Sequence, residues 1–100
     1  MALNDMHVPK FPKILADVAV GTGEGTLNLA TNSFAGRLPV NKVKFKPVLA
    51  MQYAFVAGGQ YFDVAALEVV TLEAFPPGHP GILYHKAPGG ATTMDVEIWN

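Results

Sequence analysis

Cysteine is absent from the 100 residues, so no disulfide framework, thiolate zinc site or cysteine nucleophile is available. Serine is reduced to Ser33, which lies in Asn32-Ser33-Phe34-Ala35-Gly36 without a glycine elbow before it, and no acid and base are evidently arranged to activate it. Charge is the next shortage: charged side chains make up 15% of the residues, against ~25% in an average soluble domain. Long apolar runs are missing too. The longest charge-free stretch, Pro47 to Phe62, is interrupted by Gln52, Tyr53 and Gly58-Gly59, whereas a membrane-spanning helix needs ~18 uninterrupted apolar residues. Membrane insertion is therefore not expected. Met1 to Pro9 lack the basic start and apolar middle of a signal peptide, which favours an intracellular start.

Half of the residues are hydrophobic, mean hydropathy is +0.25 and the formal net charge is -1. Disordered chains have the reverse balance, so the body is expected to fold as a single domain over residues 14–100. A chain of this size leaves about a third of its unfolded surface exposed after folding, and so few charges cannot cover that surface. An apolar patch, and hence a partner surface, is expected.

The period-two pattern is clearest in Val40-Asn-Lys-Val-Lys-Phe-Lys-Pro47, which sets Lys42, Lys44 and Lys46 on one face of a strand and Val43 and Phe45 on the other. Thr92 to Trp99 alternates in the same way, with Met94, Val96 and Ile98 facing oppositely to Asp95, Glu97 and Trp99. Asp95 and Glu97 are thus candidates to meet the lysines across a sheet or a subunit boundary. Ile14 to Val20 and Thr26 to Ala30 flank Gly21-Thr-Gly-Glu-Gly25 and read as a β-hairpin; the glycine spacing and the absence of a following Lys-Ser/Thr do not fit a phosphate loop. Val48 to Ala57 reads as a strand covered on both faces, central or at an interface. Residues 67–75 read as a strand, with a short helical turn as an alternative before it and Asp63 as its cap. Pro76 to Gly81 reads as a rigid loop, and Ile82 to Lys86 as a short strand. Residues 1–13, with Pro9 and Pro12, read as an extended N-terminal arm able to dock on a neighbour.

Three chemistries can be drawn on these elements. A metal site would use His79 and His85 with Glu68 or Glu73, but no ligand motif joins them, and a small metal-dependent β-barrel enzyme is the weakest reading. A carbohydrate- or ligand-binding module would stack a sugar on Tyr53, Tyr61, Tyr84 or Trp99. The lysine row could serve as an edge guard, a polyanion stripe or an inter-subunit salt-bridge row; net charge and the lack of further basic clustering argue against nucleic acid.

The sequence thus predicts an all-β chain of six to eight short strands, an antiparallel sandwich or small barrel with a jelly roll as one form. It predicts no catalytic set, cofactor site or metal site. The expected role is that of a structural assembly subunit packing with copies of itself or with a larger coat or shell protein. A minor capsid, cement or penton protein in a virion is its most concrete form. Lys42, Lys44, Lys46, Tyr53, Phe55, Tyr61, Tyr84 and Trp99 are the interface candidates.

Overall fold

The structure, a computed structural model, describes residues 12–37, 39–73 and 79–100. The proposed arm over residues 1–13 falls almost wholly outside the described residues, as do His7, Leu38 and residues 74–78 of the expected 67–75 strand and the Pro76–Gly81 loop; Lys13 itself belongs to the first strand.

Eight strands are described: β1 (Lys13–Val20), β2 (Gly25–Asn28), β3 (Lys42–Pro47), β4 (Met51–Ala54), β5 (Phe62–Val64), β6 (Val70–Leu72), β7 (Ile82–Lys86) and β8 (Thr92–Trp99). They form two four-stranded antiparallel sheets, β1-β8-β3-β6 and β2-β7-β4-β5, and no helix is present among the described residues. The pairings β1 with β8, β2 with β7, β3 with β6 and β4 with β5 are those of one long hairpin whose tip is the β4–β5 turn. Rolling that hairpin adds the contacts β8–β3 and β7–β4, which close each sheet. This is the jelly-roll order of an eight-stranded sandwich.

The expected β1–β2 hairpin is not formed: β1 lies in one sheet and β2 in the other, so Gly21–Gly25 is a crossover between sheets. Ala87 N–H donates to the Gly21 carbonyl at 2.7 Å and fixes the start of that crossover. The 48–57 segment is also shorter as a strand than its composition implies. Only Met51–Ala54 pairs, between β7 and β5, and Val48, Leu49 and Val56 are exposed. The helical alternative after Asp63 is replaced by β5 and a turn in which Glu68 N–H donates to the Ala65 carbonyl at 3.1 Å; Asp63 accepts from Gln52 Nε2 at 2.8 Å instead of capping a helix. The expected strand over residues 67–75 begins only at Val70.

Alternation fixes the core. Val43, Phe45 and Pro47 of β3 and Met94, Val96 and Ile98 of β8 point inward and are buried. They meet Leu27, Met51, Val64 and Leu83 from the other sheet. Phe45 packs edge-on to Tyr53 at 5.3 Å between ring centroids, and Tyr53 continues the aromatic contact to Phe55 and Phe62. Burying this apolar surface is the main favourable term in folding. One β-bulge interrupts β1 between Leu15 and Val18, where Asp17 takes a φ of 55° and turns its N–H to Asp95 Oδ1 at 3.0 Å.

Candidate interaction surface

The outer face of the β1-β8-β3-β6 sheet is built by the alternation that fills the core. With Val43 and Phe45 inward, Lys42, Lys44 and Lys46 project outward; with Met94, Val96 and Ile98 inward, Asp95, Glu97 and Trp99 do so. The register puts Lys42 opposite Trp99, Lys44 opposite Glu97 and Lys46 opposite Asp95. A basic column on β3 therefore runs beside a column on β8 that is acidic at two levels and aromatic at the third. The Lys42 ammonium lies 4.3 Å and the Lys44 ammonium 5.8 Å from the Trp99 ring centroid, a cation–π arrangement. The row through Lys44 extends to Ile14 on β1 and Thr71 on β6. Val69, exposed beside Lys44 and Lys46, shares a shallow depression with Asp95 and Glu97.

A second surface is apolar. Val48, Leu49 and Leu67 each keep more than half of their surface exposed, and they are held near one another by the backbone: Leu67 N–H donates to the Pro47 carbonyl at 2.9 Å, and Val48 and Leu49 N–H groups donate to Thr93 O and Thr92 Oγ1 at 3.0 Å each. Leu67 adopts a φ of 64°, a left-handed conformation that costs a branched side chain about 1–2 kcal/mol relative to the ordinary regions. Its backbone N–H is satisfied by Pro47, but its side chain is left exposed and apolar on a strained backbone. Reading residues 48–57 as buried concealed Val48 and Leu49, and nothing in the sequence around Leu67 marks it.

The outer face of the β2-β7-β4-β5 sheet carries Gln52, Tyr84 and Lys86. At its margin the Glu24 carboxylate accepts from Gly58 N–H at 2.9 Å and, at very short range, from the Tyr61 hydroxyl, while Lys86 Nζ sits 4.1 Å from the Tyr61 ring centroid. Gly58 has a φ of 63°, which presents its N–H to Glu24 without strain. The Tyr61 and Gly58 hydrogen bonds hold the Glu24 carboxyl below its ordinary value, and desolvation with the Glu24 contact pushes Tyr61 up to about 12.

The aromatic candidates are not brought together. Tyr53 and Phe55 belong to the cluster with Phe45 and Phe62 at the inner side of β4, Tyr61 and Tyr84 lie on the outer side of that sheet, and Trp99 lies on the outer face of the other sheet. The two histidines are also apart in role. His79 donates from Nε2 to Phe55 O at 2.9 Å and accepts at Nδ1 from Gly81 N–H at 3.0 Å, whereas His85 is buried on β7 with Nδ1 unpartnered, and burial lowers its basicity. No group of three potential metal ligands occurs among the described residues.

No known family, curated protein or solved structure matches the chain. No helix of the described residues is long and apolar enough to cross a membrane.

Proposed function

We propose that the chain is a non-enzymatic structural subunit that assembles with copies of itself or with a larger coat-like protein. The observation that carries this reading is the exposed apolar group of Val48, Leu49 and Leu67, with Leu67 held in a left-handed conformation. Exposed apolar side chains grouped at one place mark contact sites, and a strained one is retained where something outside the monomer benefits. The low charge of the chain agrees with that role. A minor capsid, cement or penton protein of a virus particle is the most concrete form. Jelly rolls serve in capsids but equally in lectins and cupins, so the fold gives that form no more than an analogy.

A ligand-binding module is the second reading, and Tyr61 and Tyr84 beside Gln52, Asp63 and Lys86 are what favour it. A sugar panel that shifts tyrosine fluorescence at constant mass would support it.

Leu67→Asn separates the assembly reading from a purely internal role. Asparagine tolerates the left-handed region, so the folded chain should gain roughly 1 kcal/mol in urea unfolding at concentrations where it is monomeric, while its association weakens. A variant equally stable or less stable, with association unchanged, contradicts the reading.

A further inference from the structure

We infer that the outer face of the β1-β8-β3-β6 sheet is self-complementary and pairs two copies of the chain face to face about a twofold axis. The axis runs along the strands between β8 and β3. This rests on the assembly reading above and names its partner and surface.

A twofold axis in that position carries the β3 column of one copy over the β8 column of the other and leaves each residue at its own level along the strands. Because the register already places Lys42 level with Trp99, Lys44 with Glu97 and Lys46 with Asp95, every level of one copy meets its complement in the other. Lys44 faces Glu97 of the second copy and Glu97 faces its Lys44; Lys46 and Asp95 repeat this, and Lys42 and Trp99 meet as cation and ring. At the flank, Ile14 is exposed at the level of Lys44 and comes over Thr71 of the second copy, at the sheet's opposite edge. A sheet whose β3 and β8 carried the same sign at a level would place like over like under the same operation. Opposition across β3 and β8 at every level is what makes the face match itself.

Packed sheets cross at about 30°, so levels one pair away from the central Lys44–Glu97 row, roughly 7 Å along the strand, are displaced sideways by about 3–4 Å. That is less than the ~4.8 Å strand spacing and within the reach of a lysine side chain. With eight residues each on β1 and β8, six on β3 and three on β6, the face at those spacings offers roughly 400 Å² per copy, or about 800 Å² in total. This is below the size of a stable specific interface and suits a weak, salt-sensitive pairing within a larger assembly.

The test is a charge-reversal mixing experiment on the full chain, read by sedimentation velocity, with circular dichroism confirming the fold. Lys44→Glu alone sets acid against acid in the symmetric pair, and Glu97→Lys alone sets base against base. Each should self-associate at least about tenfold more weakly than the natural chain. Mixed one to one, the two variants are complementary again across the interface. Association should return in the mixture alone, and also in the chain carrying both reversals. Should either reversal disturb the fold, Lys44→Gln and Glu97→Gln give the milder form, each expected to weaken association without restoration on mixing. A chain that associates but is indifferent to the reversals, or a mixture that remains apart, overturns the face-to-face pairing and leaves the assembly reading standing. A monomer at every concentration overturns the pairing and leaves the assembly reading only its form with a larger coat-like protein.

Discussion

Each sheet buries one face in the shared core, and the two arrange their outer polar groups differently. On the β2-β7-β4-β5 side the polar groups answer one another within the chain: Gln52 donates to Asp63, Gly58 and Tyr61 donate to Glu24, and Lys86 lies on the Tyr61 ring. On the β1-β8-β3-β6 side the groups stand in columns, basic on β3 and acidic with Trp99 on β8, matched level by level. Local networks close a surface, because each donor and acceptor is already oriented. Columns of opposite sign leave a surface that a second copy can satisfy as well as the chain itself. The contrast comes from placement along the strand, since both faces have the same alternation and a similar mix of side chains.

The largest expected effect lies beneath both faces. Phe45→Ala empties a fully buried site at the junction of the sheets and should cost about 3–5 kcal/mol. Urea unfolding followed by Trp99 fluorescence reports the first sheet, and tyrosine signals report the second; coincident curves are expected, and separated curves would show that the sheets do not share one core. Gly25→Ala sharpens the comparison on the second sheet alone. A Cβ there would lie 2.8 Å from His85 Cε1, and the buried ring has little room to retreat, so a loss of about 1–3 kcal/mol is expected in thermal unfolding. No loss would mean that the ring moves freely.

Acid gives the smallest and most selective effect, and it acts on the second sheet. Burial holds His85 below the ordinary 6.5, so on lowering the pH through 6.5 the unfolded chain takes up a proton that the folded chain refuses, and stability falls. Glu24 is held below 4.5 by the Tyr61 and Gly58 hydrogen bonds; its contribution is complete above 4.5 and is lost as the pH falls through the lowered value. Urea midpoints across pH 3 to 8 should therefore decline in two stages. His85→Gln should flatten only the upper stage and Glu24→Gln only the lower. A single decline untouched by either variant would contradict this assignment.

Much of the architecture is legible in the sequence where the period-two signal is strong. Lys42–Pro47 and Thr92–Trp99 could be oriented residue by residue, because burying one face of a strand forces alternation. Their acid–base opposition followed from the same faces. What stayed hidden is non-local. A glycine-rich link such as Gly21–Gly25 serves a hairpin or a crossover equally well, and only the partners β8 and β7, more than fifty residues away, decide between them. The apolar run of residues 48–57 divides for a related reason: Met51–Ala54 is a central strand, whereas composition records that Val48 and Leu49 avoid water, not whether this chain or another shields them. Of the eight interface candidates, the lysines and Trp99 share one face, whereas the tyrosines and Phe55 are distributed over the other sheet. The three-residue strands β5 and β6 are too short to carry a period.

Assembly is the claim on which the functional account stands, and the solution mass of the full-length chain by light scattering over a wide concentration series tests it most directly. The mass is expected to rise above 10.7 kDa to a defined multiple as concentration increases, and to fall back in high salt as the lysine and carboxylate columns are screened. A mass of 10.7 kDa at every concentration and salt would contradict self-assembly and leave a larger coat-like protein as the sole partner.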